Sequence, residues 1–293
     1  MIVLSEAYLH LESPSADDLI RADTAAREAG CQVFAMPTDF SYYTSPSHAL
    51  SGVPDFSSEE AGAWIGFIPG PERYQTVYAA ALAKKIRLLN TPEQYQRVQE
   101  FDKAYPFIQG ITPQTLVVTD AAQCLEVMGQ LGAPVFVKGA VQSLKQKGLK
   151  ACIANNVLDL VLMVQELLDT PGFSNGRVLV RRMVPLRKTG QFGDFPKGRE
   201  YRAFVLNRRV IGLGYYWAGE DPFGPLTEID QERVNHLASA AAEKLEVPYV
   251  SVDMGQCEDG SWTVIETGDA QFTSVGKISL TRLWQALNQS CSS

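Results

Sequence analysis

An Asp-Gly pair at Asp259-Gly260, set between the apolar runs Val250–Met254 and Trp262–Thr267, constrains this chain more than any other feature. Asp-Gly accommodates the positive φ angles of a tight turn, so the two flanking runs read as strands of one antiparallel hairpin. A two-residue turn sets the register: Glu258 meets Ser261, and Asp253 meets Glu266. Directly opposed residues have Cβ atoms about 4.5–5.5 Å apart. Two ionised carboxylates at roughly 5 Å repel by about 3 kcal/mol at an effective dielectric near 20. Either one acid is protonated or a cation lies between them, and Mg²⁺, which takes one or two carboxylates together with phosphate oxygens, suits such a pair. By alternation Ser251, Gly255 and Gly268 share the face of the acids, while Val250, Val252, Met254 and Ile265 turn toward a core. The alternative is a solvent-facing pair of acids, and a slip of one residue would break the pairing.

The rest of the chain reads as α/β. With 293 residues it suits two domains better than one core. Strand, helix and strand are expected at Ile2–Leu4, Ser15–Ala29 and Gln32–Ala35, followed by a polar loop over 36–60 and a strand at Ala63–Ile68. One helix is expected over Tyr74–Leu89. A second is capped by Thr91-Pro92-Glu93-Gln94 and runs to about Lys103, with a domain boundary just after Thr112-Pro113. Beyond it come strands at Leu116–Val118 and Pro134–Lys138, a Gly-bounded loop over Gly139–Gly148, a return strand at Lys150–Ala154 and a helix at Asn156–Asp169. A strand at Val178–Val184, a hairpin turning at Asn207-Arg208, and an amphipathic helix at Asp230–Leu245 complete the pattern ahead of the Asp-Gly hairpin.

Cationic residues recur at strand ends. Lys138 closes the apolar run Pro134–Val137, and the following loop adds Ser143, Lys145 and Lys147 between glycines. Backbone amides and lysines of such a loop can cover a polyphosphate, although GxxxxGK[ST] is absent; an ordinary solvated loop is equally compatible. Glu200-Tyr201-Arg202 puts an acid and an arginine on one strand face with Phe204, which points to an anion partner or to a plain surface pair. Arg181 and Arg182 follow Val178-Leu179-Val180, so one of the two must face inward.

Taken in order, Pro134–Lys138 with its loop, the strand Val178–Val184, Glu200-x-Arg202, Asp253 and Glu266 resemble the ATP-grasp family, in particular an outlying bacterial and phage-type group. The resemblance spans roughly residues 90–275 and implies two α+β subdomains sandwiching ATP (residues 115–293), preceded by a small Rossmann-like α/β domain (residues 1–114). It implies that Lys138 holds the α- and β-phosphates, that Ser143 and Lys145 close over them, and that Arg182, Met183 and Val184 line the adenine. Glu200 joins the nucleotide site, Arg202 stabilises the transferred phosphoryl group, and Asp253 and Glu266 bind Mg²⁺. The family's earlier cation corresponds to Arg97, with Lys103 less well spaced. Where the family places Asn, this chain has Gly268, so Asp269 is the candidate third metal ligand; Arg181 and Arg182 stand where acidic residues are common. The implied reaction is ATP-dependent carboxylate–amine (or carboxylate–thiol) ligation through an acyl phosphate, acting on a small-molecule or peptide acid and an amine. A non-catalytic nucleotide-binding module and a small-molecule kinase are the alternatives.

Composition excludes several other classes. A net charge of −7 argues against general nucleic-acid binding. The five cysteines form no CxxC pair, so zinc is not expected and a reducing cytoplasmic setting fits. His10, His48 and His236 show no metal-ligand spacing and no evident general-base partner. No apolar run reaches membrane-spanning length, and the early Glu6 is unlike a signal peptide. HRD and DFG are absent, against a protein kinase. A homodimer is left open.

Overall fold

The computed structural model describes residues 1–6, 14–144, 147–148 and 151–291. Four sheets organise them. The N-terminal sheet is parallel throughout, in the order β2-β1-β3-β4, built from β1 (Ile2–Ser5), β2 (Gln32–Ala35), β3 (Glu60–Ile65) and β4 (Ile86–Leu88). Both of its faces are covered, as parallel sheets require. Ile2, Leu4 and Trp64 pack with Tyr74 and Val77 of α3 (Pro71–Ala83). Val3, Ala63 and Ile65 pack with Ala25 and Ala26 of α1 (Pro14–Glu28) and with Leu283, Trp284 and Leu287 of α10 (Leu280–Cys291).

Two expectations fail in this region. The single helix over Tyr74–Leu89 stops at Ala83; Lys85 takes φ +62°, and Ile86-Arg87-Leu88 becomes β4 with its outer two residues buried. An open sheet edge at β3 outweighs local helix propensity there. The polar loop over 36–60 contains the short helix α2 (Pro46–Ala49), capped by Ser45. The capping box at Thr91 and Gln94 forms as expected and starts α4 (Pro92–Gln99). The helix then breaks at Glu100, and α5 (Phe101–Ile108) follows.

The remaining chain forms two larger units. The order β5-β8-β6-β7 describes the central antiparallel sheet, made of β5 (Thr115–Val118), β6 (Val135–Gly139), β7 (Ile153–Ala154) and β8 (Val178–Arg182). Helices α6 (Cys124–Leu131) and α7 (Val157–Leu168) cover one face of it through Val127, Leu160 and Val164. Gly139 ends β6 where α8 (Pro171–Ser174) passes so close that a Cβ would sit 2.0 Å from the Phe173 carbonyl oxygen. Residues 185–199 contain the hairpin β9 (Lys188–Phe192) and β10 (Phe195–Gly198).

The C-terminal sheet has the order β12-β11-β13-β14, from β11 (Glu200–Leu206), β12 (Arg209–Tyr215), β13 (Tyr249–Gln256) and β14 (Trp262–Asp269). Ala203, Val205, Val250, Val252 and Met254 of its inner face pack on α9 (Glu228–Leu245) and on Val98, Phe101 and Ala104 of α4 and α5. Helices preceding the sequence boundary at 114 therefore contribute to the core of the C-terminal sheet. Phe204 and Tyr249, on the opposite face, pack toward the N-terminal sheet.

Asn90 joins the two ends of the molecule. It is fully buried, donates to the Tyr249 carbonyl (2.7 Å) and to Asp269 (2.8 Å), and accepts from the Tyr249 amide (3.0 Å). Removing it strands buried polar groups on both sides of the junction. Asn90→Ala should cost roughly 3 kcal/mol, read as a lower urea midpoint; an unchanged midpoint would mean that Asn90 contributes nothing to joining the sheets.

Candidate functional site

The Asp-Gly hairpin reaches the expected pairing by an unexpected route. Its loop is three residues, not two: the Cys257 amide donates to the Ser261 carbonyl (2.8 Å), the Gly260 amide to the Cys257 carbonyl (3.0 Å), and Gly260 has φ +85°. The ladder leaving this loop pairs Gln256 with Trp262, Gly255 with Thr263 and Met254 with Val264, one residue out of the expected register. A β-bulge at Ile265 then restores it, so that Asp253 pairs with Glu266 and Val252 with Thr267. The bulge also corrects one expectation. Val264, fully buried, occupies the core position proposed for Ile265, while Ile265 lines a cleft.

That cleft, of about 440 Å³, lies between the central and C-terminal sheets and is bordered by the β9–β10 hairpin. Such a volume suits a small ligand. In β6, Val135 and Val137 point into the core, so alternation sends Phe136 and Lys138 into the cleft. In β8, paired with β6, Arg181 faces the same way. Lys138 is 2% exposed and reaches across to donate to Glu266. Beside the cleft, outside its lining, Arg202 and Asp253 are register partners on β11 and β13, and the guanidinium holds the carboxylate through two bonds of 2.7 Å. Burial disfavours the Arg202 charge, but Asp253 more than offsets this, and its pKa lies above the ordinary arginine value. Each acid of the pair is thus matched by one cation.

The lining carries five lysine and arginine side chains (among them Lys188 and Lys197) against the glutamates Glu200, Glu258 and Glu266. Such an excess in a partly enclosed cleft favours an anionic ligand. Ser143, Arg182, Met183, Val184 and Glu200 all line this space, with Arg182 exposed at the rim and Glu200 buried. Lys145 lies outside the described residues.

Two expected site residues lie elsewhere. Arg97 does not line the cleft; it donates to the Leu245 carbonyl (2.8 Å) at the end of α9 and pairs with Glu246 at 3.4 Å. Helix C-termini present unsatisfied carbonyls that attract such a cation. Its alternative Lys103 donates to Gln96 (2.7 Å) and pairs with Glu100 at 3.4 Å. Asp269 is three positions beyond Glu266, on the alternate face of β14 and opposite Val250. It is wholly buried and accepts from Asn90 (2.8 Å) and from the Gln271 amide (2.9 Å). It braces the junction with the N-terminal sheet instead of joining the acid pair. Gly268 leaves little space either, because a Cβ would lie 3.2 Å from the Ser251 hydroxyl and 3.3 Å from that of Thr273. Among the described residues, no three His, Cys, Asp or Glu side chains gather as a metal-binding group. The protein therefore offers two carboxylates, a donor set that fits an oxygen-preferring divalent ion whose other ligands are phosphate and water.

Sequence reasoning missed two groups. Arg181, the inward-facing member of the arginine pair, is buried, has its guanidinium 4.4 Å from the Phe101 ring centre, and borders Glu266. Burial pushes its pKa down to about 10, with Glu266 opposing the fall. Arg199 is also buried, donating to Asp221 (2.7 Å) and Gln256 (2.8 Å), while the Tyr201 hydroxyl donates to the same Asp221 (2.8 Å). The Asp-Pro sequence at Asp221-Pro222 carries no signal of that network.

Residues 128–287 match the model of an ATP-grasp domain family, the third family of its clade. The chain belongs to this family. Among solved structures of similar fold, D-alanine–D-alanine ligase from Bacillus anthracis is 13% identical, with a TM-score of 0.66 over 99% of this chain and 95% of that one. A RimK domain ATP-grasp protein from Sphaerobacter thermophilus is 12% identical, with a TM-score of 0.61 over 100% and 99% of the two chains. The ATP-grasp ligase PsnB, solved with a minimal precursor, Mg and ADP, is 12% identical with a TM-score of 0.61 over 100% and 98%. No curated protein matches in sequence. Among the described residues no helix is long and apolar enough to cross a membrane.

Burial pushes Asp269 up to about 6 from an unperturbed 3.8, against the pull of its Asn90 and Gln271 hydrogen bonds. The folded state therefore keeps a proton that the unfolded chain has lost between those values, and stability falls as pH rises through them. The stability of the wild type relative to Asp269→Asn should drop by roughly 2–3 kcal/mol between about pH 4 and pH 7. Urea denaturation of both proteins at the two pH values measures this, and a difference that does not vary with pH would contradict it.

Proposed function

We propose that the chain is an ATP- and Mg²⁺-dependent ligase that activates a carboxylate as an acyl phosphate and joins it to an amine. The observation that carries this reading is the opposed pair Asp253 and Glu266 beside a cationic cleft, with Arg202 and Lys138 each already seated on one acid. Asp253 and Glu266 would hold Mg²⁺, which would supply positive charge to offset that of the phosphates. With the acids so engaged, Lys138 and Arg202 become available to anionic oxygens. Lys138, on a buried strand, suits the non-transferred phosphates. Arg202, whose fork also donates to the Ser274 carbonyl (2.8 Å), suits the group being transferred. A substrate carboxylate oxygen would attack the γ-phosphorus and release ADP. The amine would then attack the acyl carbon, expel phosphate and lose a proton. Catalysis of this kind is positioning and charge stabilisation, which the buried ion pairs suit. Met183 and Val184, apolar members of the lining, would pack against the adenine.

A second reading has its own support. Arg202 and Lys138 already neutralise the acids, so the acid pair needs no metal to balance it, which suits a non-catalytic nucleotide-binding module. ADP release with panels of acids and amines separates the two. Under the ligase reading, Asp253→Asn and Glu266→Gln should each lower Mg²⁺-dependent ADP release by about 10²-fold or more. Lys138→Ala should weaken ATP binding by roughly tenfold while the fold survives. Full activity of both acid variants would sink the metal assignment. ATP binding that is insensitive to EDTA, with no turnover, would favour the module, and a stable phosphorylated product formed without amine would make the chain a kinase.

A further inference from the structure

The bulge that brings Glu266 opposite Asp253 is held from outside its own sheet. β14 is an edge strand, and the outer side of its bulge faces the segment 111–112 and the end of β8. The Val264 amide donates to the Ile111 carbonyl (2.8 Å), and the Val264 carbonyl accepts from the Thr112 hydroxyl (2.8 Å). The next carbonyl, that of the bulged Ile265, accepts from Arg181 Nη1 at 2.6 Å. Arg181 Nη2 donates to the same Thr112 hydroxyl (2.9 Å), and its Nε to the Thr115 hydroxyl (3.2 Å). A planar fork with three donors in use, resting on the Phe101 ring, is a rigid clamp.

The clamp matters because of what lies one residue away. If the ladder that leaves the Glu258–Gly260 loop ran on without a bulge, Asp253 would face Ile265, and Glu266 would face Val252. Val252 is fully buried on the α9 side of the sheet, so the slip would drive a carboxylate into an apolar core and leave Asp253 with no acid opposite it. An unpaired carbonyl at the bulge would also cost about 1–3 kcal/mol without a donor. Arg181 supplies that donor and the geometry together.

We propose that Arg181, with Thr112, is a positioning residue: by clamping the Ile265 bulge it holds Glu266 on the cleft face opposite Asp253, and so builds the two-carboxylate metal site. This rests on the metal reading of the acid pair. It also ties the site to the central sheet, since Arg181 is the penultimate residue of the strand that leads directly into Met183 and Val184 at the cleft wall.

Calorimetric titration of Mn²⁺ into the full chain with ADP, beside ADP titration in EDTA, tests it. Arg181→Met should weaken Mn²⁺ at least about tenfold, a larger loss than that of metal-free ADP affinity, to which the charge of Arg181 in the lining also contributes. Arg181→Lys, a point charge that cannot fork between Ile265 and Thr112, should also weaken Mn²⁺, and Thr112→Val should do so by roughly threefold. Arg181→Met combined with Glu266→Gln should bind Mn²⁺ no more weakly than Glu266→Gln alone. In the protein without metal or nucleotide, amide exchange at Val264–Glu266 should quicken in Arg181→Met, and Thr112→Val carries the test if that variant does not fold. Mn²⁺ affinity within about twofold of wild type, additive losses in the double variant, or an equal loss of metal-free ADP affinity would each overturn the proposal. If Glu266→Gln binds Mn²⁺ like wild type, the metal reading itself fails. Exchange at the bulge then decides the clamp alone: unchanged protection overturns it, and faster exchange sustains the positioning of Glu266.

Discussion

Two acids facing each other across one hairpin are the constraint around which this structure is arranged. Asp253 and Glu266 would repel at their separation, and an antiparallel ladder gives neither a way to move aside. The fold answers with one cation from each side. Arg202 comes from the neighbouring strand of the same sheet, at the register position opposite Asp253. Lys138 comes from a different sheet and must cross the cleft to reach Glu266. The pair is therefore more than a local feature of a hairpin: one of its two charges is balanced only because the central sheet stands over the C-terminal one. Lys138 is buried, and a buried charge deprived of its partner is far costlier than an exposed one, so the cleft and the acid pair stabilise or fail together.

The same dependence on distant partners recurs at the other end of β14. Asp269 is a short run of strand from Glu266, yet its surroundings differ completely. Where Glu266 meets a lysine beside an open cleft, Asp269 meets Asn90 and Gln271 in a sealed junction. Two carboxylates on one strand thus take opposite roles because strand alternation sends them to different neighbours. One faces a space where charge can be exchanged with a ligand. The other sits where burial favours its neutral form.

How much of this is legible in the sequence depends on whether the signal is local. The Asp-Gly turn, the capping box at Thr91, and the alternation that puts Phe136 and Lys138 on one face are carried by neighbouring residues, and the structure has them. The pairing of Asp253 with Glu266 follows in the sequence from a two-residue turn. It holds only because a three-residue loop and a bulge at Ile265 displace the register in opposite senses. Nothing in Val264-Ile265-Glu266 marks a bulge; its cause is a set of donors and acceptors at positions 111, 112 and 181. β4 is hidden because Ile86-Arg87-Leu88 continues an alanine-rich helical pattern, and only the exposed edge of β3 makes it a strand. Asp269 is misplaced because sequence proximity to Glu266 says nothing about Asn90, a residue far upstream. The role of Arg97 fails for a similar reason: the carbonyl it satisfies belongs to a helix that ends at Leu245.

Gly268 and Asp269 together bear on how a site with two carboxylates can work. Since Ser251 and Thr273 close in around Gly268, and Asp269 is occupied, no third protein oxygen of that strand end is free to complete a metal shell. A hard divalent ion bound by only two carboxylates relies on phosphate oxygens for the rest of its coordination. Metal and nucleotide would then bind with strong mutual dependence, each weak alone, because each supplies ligands or charge that the other needs. The ion pairs of Arg202 and Lys138 fit that scheme. They compensate both acids, and under the metal reading a metal that took the acids over would release them toward the phosphates. A third carboxylate would make the metal site more independent of nucleotide. A two-acid arrangement thus ties metal binding to nucleotide binding.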